Sequence, residues 1–143
     1  MFKSIVAGLI VCLGMGVTVV SACDTHSLNV SEATIKLPPV NAHNAAAYMQ
    51  ITNPTDAPMT IVAIKTDIAE KNELHESRVI DGVASMQEIH KLVIESKSTV
   101  SLAPGGLHIM LIGLKDPIKA GQSIPVTLEF ESGKNVVISA IVK

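Results

Sequence analysis

Two histidines and two methionines carry the chemistry that the sequence makes available. His75, Met86, His108 and Met110 are separated by ten, twenty-one and one residues. Thioether sulfur is a soft, neutral, weakly basic donor that suits Cu(I) and does little for hard or borderline cations. Zinc sites draw instead on Cys, His, Asp or Glu. With neutral imidazoles the four side chains carry no charge, so a site built from them keeps the single positive charge of Cu(I), which favours capture and release over redox cycling. Its binding should weaken as pH falls through the histidine range, because a protonated imidazole cannot coordinate.

Each of these residues also has an ordinary structural role to weigh. A methionine inside a β-run usually fills core, and a lone histidine on a strand is usually solvated or hydrogen-bonded. That role fits Met49 and Met59, in apolar runs without a histidine at matching parity, and it fits His26 and His43, in a tether and a loop. His90 shares the parity of Met86 and Glu88 and is left outside the set of four as a further candidate.

The elements that must position the four residues read as strands. Short apolar runs predict strands near Ala33–Leu37, Ala46–Thr52, Met59–Lys65, Glu73–Ile80, Val83–Ile89, Thr99–Leu102, Leu107–Ile112, Ile124–Phe130 and Val136–Val142. Pro38-Pro39, Asn53-Pro54, Asp81-Gly82, Pro104-Gly105-Gly106, Gly121 and Ser132-Gly133-Lys134-Asn135 divide them. Many short strands at this spacing favour a sandwich or barrel. The segment from Asp67 to Leu74 lacks a sustained 3.6 period and reads as a connection. Asp81-Gly82 is a two-residue hairpin signal; pairing outward from it sets Ile80 opposite Val83, Ser77 opposite Met86 and His75 opposite Glu88. His75 and Met86 are then diagonal neighbours on one face. His108 and Met110, two apart on one strand, also share a face. Bringing these strands together would converge two imidazoles and two thioethers.

The N-terminus reads as an export signal. One basic residue, Lys3, precedes an uncharged apolar run from Ile5 to Val20, with small residues directly after it. The run is slightly too short for a spanning helix. Val20-Ser21-Ala22-Cys23 resembles a bacterial lipobox, in which Cys23 would be lipidated and become the first residue of the mature chain; cleavage after Ala22 by an ordinary signal peptidase is the alternative. Cysteine arithmetic favours lipidation. Removing residues 1–22 takes Cys12 away and leaves Cys23 as a lone thiol with no disulfide partner. The expected organisation is a signal peptide over 1–22, a lipid-attached tether over 23–32 and one β-domain over 33–143, on the periplasmic side of a bacterial membrane and either anchored or soluble. Asp24 resembles the residue that retains some lipoproteins in the inner membrane.

Composition narrows the function classes. The formal charge is −2, and it becomes −3 once the leader and Lys3 are removed. No basic stripe exists, and Tyr48 and Phe130 are the only aromatics after the leader, so nucleic acid is not an expected partner. No nucleophile with a base, paired-carboxylate site or phosphate loop is evident, so an enzyme is not expected.

The four positions also carry a family resemblance. Their spacing matches the H-x10-M-x21-H-x-M signature of the periplasmic copper chaperones called PCuAC. The flanking text is similar too: Ala46-Ala47-Tyr48-Met49 leading to Thr52-Asn53, Leu74-His75-Glu76, Leu102-Ala103-Pro104-Gly105-Gly106-Leu107-His108-Ile109-Met110-Leu111, and Gly113-Leu114-Lys115. The resemblance runs from about Ala33 to the C-terminus. It implies an all-β, cupredoxin-like Greek-key β-sandwich that holds one Cu(I) at an exposed edge through His75, Met86, His108 and Met110. It also implies delivery to an acceptor protein, the binuclear copper centre in cytochrome c oxidase subunit II or a Sco-type thiol protein. Two departures stand out: the His- and Met-rich C-terminal tail of many members is absent here, and a lipid anchor differs from the usual soluble form. A copper-storage or tolerance protein, and an adhesion or assembly sandwich without metal, are the competing expectations.

Overall fold

A computed structural model describes residues 28–143; the expected signal peptide, Cys23 and the start of the expected tether lie outside the described residues. The described chain forms ten strands: β1 (Asn29–Lys36), β2 (Asn44–Asn53), β3 (Met59–Lys65), β4 (Ala69–Ile80), β5 (Val83–Ile89), β6 (Leu92–Ile94), β7 (Ser98–Leu102), β8 (Leu107–Leu114), β9 (Ser123–Phe130) and β10 (Asn135–Val142). Period-two alternation explains most of them. In β2 the odd positions Ala45, Ala47, Met49, Ile51 and Asn53 are buried, while the even ones between them stay half-exposed. In β9 the even positions Ile124, Val126, Leu128 and Phe130 are buried. Each large aliphatic side chain taken fully from water contributes about 1.5–3 kcal/mol, and with Phe130 the one aromatic among the buried hydrophobic residues, that contribution is almost wholly aliphatic.

The strands hydrogen-bond in the order β5-β4-β8-β2-β1-β10-β9-β3-β6, with β7 also pairing β2. β1 joins the two halves: it pairs antiparallel with β2, and parallel with β10 through Thr34 and Ile35. Inward residues of one half (Met49, Leu74, Ile109, Leu111) and of the other (Ile61, Ile64, Val126, Leu128) belong to a single core cluster. The sheet therefore closes over itself as the expected all-β sandwich.

Three local expectations need correction. β1 starts at Asn29, within the predicted tether, and Asn29–Ser31 pair with Thr52–Gln50. A register shift between Ser31 and Thr34, with Glu32 at φ 53°, breaks the alternation there, which hid the strand from a pattern search. β4 starts at Ala69, so all but the first two residues of the segment read as a connection are strand; its exposed Glu70 and Lys71 and half-buried Asn72 and Glu73 give no alternating signal. β6, only three residues long, was not predicted at all. By contrast the Asp81-Gly82 hairpin has the predicted register, with both residues at positive φ (52° and 78°) as a type I′ turn requires.

Candidate metal centre

β4 lies between β5 and β8 and carries the middle of the site. Leu74, Ile109 and Leu111 are buried in the core, so their strand neighbours Glu73, His75, His108 and Met110 face outward. The β4–β8 register sets His75 directly opposite His108 and Glu73 opposite Met110. On the other flank, β5 sets Glu88 opposite His75 and Met86 opposite Ser77. Met110, His108, His75 and Met86 thus form a diagonal stripe across three strands on one face, the arrangement that the two separate strand parities leave open.

The two imidazoles meet edge to face, with ring centroids 5.9 Å apart and planes inclined by 72°. Two imidazoles sharing one metal at nitrogen–metal bonds of ~2 Å hold their centroids no more than roughly 6.5 Å apart. The observed pair is within that limit. His108 is only 5% exposed although it faces away from the core, whereas Met86, on the edge strand, is 54% exposed. One candidate donor is therefore deeply set and one meets solvent. Nδ1 of His75 is buried and has no hydrogen-bond partner. A buried acceptor left unpaired costs stability unless something fills it, and a metal ion is a group that would do so. Among the described residues no three His, Cys, Asp or Glu side chains gather as a metal cage; the thioethers of Met86 and Met110 stand on the same face as the two imidazoles.

The other candidates fall elsewhere. Met49 is core at 1% exposure, and Met59 packs against the core. His43 is exposed in the segment before β2. His90 lies just past β5, exposed, with Nδ1 3.5 Å from Glu88 Oε1.

Comparison with known proteins places the chain. A family model described as "Putative lipoprotein LpqE-like" matches residues 28–142. The chain belongs to the LpqE-like family. Within it, the Leifsonia xyli subsp. xyli protein named "Putative lipoprotein Lxx21020" is 37% identical over 117 residues, 81% of this chain and 69% of that one. The solution structure of Cu(I)-bound DR1885 from Deinococcus radiodurans superposes with a TM-score of 0.65 at 30% identity, covering 87% of this chain and 81% of that one. The copper-bound PCuAC domain of PmoF2 has a TM-score of 0.68 at 23% identity, over 81% and 92% of the two chains, and shares the fold. The PCuAC resemblance read from the sequence is therefore met.

Two groups in this LpqE-like chain escaped the sequence reading. Glu73 Oε2 lies 2.9 Å from His75 Nε2, and the carbonyl oxygen of Gly106 lies 3.0 Å from His108 Nδ1. Glu73 stands two residues before His75, the spacing that puts two strand residues on one face, and both lie in the strand predicted over Glu73–Ile80, so their shared parity was the available signal. The Gly106 carbonyl has no sequence signal beyond the Pro104-Gly105 turn that presents it.

Proposed function

We propose that this protein is an exported copper(I) carrier that binds one Cu(I) through His75, Met86, His108 and Met110 and passes it to an acceptor by ligand exchange. The carrying observation is the single outward face that gathers two imidazoles and two thioethers, one imidazole nitrogen buried and unpaired. A neutral four-donor set with soft sulfur matches Cu(I). Support also comes from the Cu(I)-bound state of DR1885, a relative of the same fold at 30% identity.

Exchange has a geometric route. Met86 is the solvent-facing donor on an edge strand, so an incoming thiolate or thioether can replace it first while His108 still holds the ion from the sheltered side. Carriage of this kind needs no catalysis. The acceptor in this proposal is the binuclear copper centre in cytochrome c oxidase subunit II, or a Sco-type thiol protein that serves it. Lipidation at Cys23 would hold the domain beside such membrane-bound acceptors on the periplasmic face.

The test is an anaerobic Cu(I) titration against a competing chelator, comparing the wild type with the Met86→Ala, Met110→Ala double variant. One equivalent held tightly by the wild type and weakly by the variant supports the proposal. Equal weak binding by both would sink it and leave the sandwich as an interaction module.

A further inference from the structure

The two facing imidazoles are held by opposite nitrogens. His75 is engaged at Nε2 by the Glu73 carboxylate, 2.9 Å away, and its Nδ1 is buried without a partner. His108 is engaged at Nδ1 by the Gly106 carbonyl, 3.0 Å away. A carbonyl oxygen and an ionised carboxylate only accept hydrogen bonds, so the nitrogen facing each must carry the hydrogen of a neutral ring. The lone pair is then on Nδ1 of His75 and on Nε2 of His108. We infer that Glu73 is a positioning residue which, together with the Gly106 carbonyl, presets these opposite tautomers, so that His75 offers Nδ1 and His108 offers Nε2 to copper(I) before the ion arrives. This rests on the carrier reading and adds to it the donor atoms and a residue outside the four ligands.

Both supports are themselves fixed. Glu73 stands on β4 opposite Met110, with its side chain three-quarters buried beside that of His75, which is more buried still. The carboxylate bonds His75 from the same strand, and shielding from water strengthens that hydrogen bond. The Gly106 carbonyl is held from a second direction by the Ser77 amide, 3.0 Å away. It leaves a turn in which the Gly106 amide donates to the Ala103 carbonyl at 3.1 Å, with Pro104 and a positive-φ Gly105 (81°) between, the signature of a type II turn. A hydrogen bond on the distal nitrogen orients a ligating imidazole and raises its basicity, and losing such a partner typically costs 10–100-fold in metal affinity.

The experiment labels the histidines of the full chain with nitrogen-15, keeps it reduced in detergent, and reads each ring by long-range proton–nitrogen correlation, without metal and then with one equivalent of Cu(I). The metal-free wild type is expected to show protonated Nε2 on His75 and protonated Nδ1 on His108, and Cu(I) to shift His75 Nδ1 and His108 Nε2. Glu73→Ala should turn His75 into a tautomer mixture, leave His108 unchanged, and weaken Cu(I) binding by about 10–100-fold. Glu73→Gln keeps an accepting oxygen and should recover the tautomer and part of the affinity. Coordination through His75 Nε2, or a Glu73→Ala protein with wild-type tautomer and affinity, would overturn the positioning role while leaving the carrier intact. Cu(I) that shifts neither histidine would overturn both. Should Glu73→Ala not fold, the wild-type spectra and Glu73→Gln decide the matter.

Discussion

Asn53 and His75 are both polar side chains taken largely out of water, and the fold treats them in opposite ways. Asn53, fully buried at the end of β2, has every side-chain atom paired: Nδ2 donates to the carbonyls of Ala57 (2.8 Å) and Ile94 (3.0 Å), and Oδ1 accepts from the Thr55 amide (3.0 Å) and hydroxyl (2.7 Å). It stitches the loop after β2 to β6. His75 has one nitrogen paired and the other buried with nothing to bond. A satisfied buried amide is a structural device, whereas a half-satisfied imidazole facing a second imidazole is held ready for something else.

That contrast predicts opposite losses. Asn53→Ala strands two carbonyls and an amide in or near the core, at about 1–3 kcal/mol for each that stays dry, so a destabilisation of about 3 kcal/mol is expected in urea or guanidinium unfolding. Copper(I) binding by the folded fraction should be unchanged, since Asn53 does not stand on the strands that carry the site. If Asn53→Ala proved neutral in stability, its hydrogen bonds would be replaceable by water and the distinction from His75 would lose its basis.

His75→Leu should behave the other way. The leucine removes the orphaned nitrogen, Glu73 remains partly open to water, and folding stability without metal should stay within about 1 kcal/mol of wild type. The Cu(I) dissociation constant should rise by about 100-fold or more, roughly 2.7 kcal/mol. Saturating copper at about 100 times the dissociation constant should therefore stabilise the wild type by about 2.7 kcal/mol and the variant hardly at all. A variant that kept full copper stabilisation would show that the facing imidazoles are incidental.

The same contrast marks what sequence could reveal. The Asp81-Gly82 turn carries its chemistry in two adjacent residues, so the hairpin, its register and the shared face of His75 and Met86 follow from local rules. The spacing of the four candidate ligands is equally local information. The direct opposition of His75 and His108 is not, because β4 and β8 are separated by three other strands in the chain and only the assembled sheet makes them neighbours. The start of β4 is also illegible: Glu70, Lys71 and Asn72, just before the strand predicted from Glu73, are polar at both parities. Polar runs read as loops, so the strand is expected to start only at Glu73; it already holds Glu73 and His75 at matching parity, but parity alone does not say that their side chains meet.

Methionines extend the comparison at a smaller scale. Met49 and Met86 differ in exposure from 1% to 54%, the first packed in the core and the second on the edge strand of the site. Met49→Leu nearly conserves volume and should cost less than about 1.5 kcal/mol in stability with no change in copper affinity. Met86→Leu should leave stability alone and weaken Cu(I) binding about tenfold, near 1.4 kcal/mol, since it removes one of the four proposed donors. Equal copper affinities in the two variants would assign Met86 to surface rather than site.

The smallest effect expected is at the turn that brings Met86 beside His75. Gly82 sits at φ 78°, and a Cβ added there would meet nothing within 4 Å, so Gly82→Ala carries only backbone strain. That strain is about 1 kcal/mol, readable as a lowered denaturant midpoint at unchanged slope. Copper affinity should hold, because seven residue pairs from Leu74↔Ile89 to Ile80↔Val83 fix the β4–β5 register independently of the turn. A fall in affinity of tenfold or more would mean that the turn, and not the ladder, sets where Met86 stands. A one-residue slip would carry Met86 to the opposite face of the sheet from His75, so affinity reads the register far more sharply than stability does.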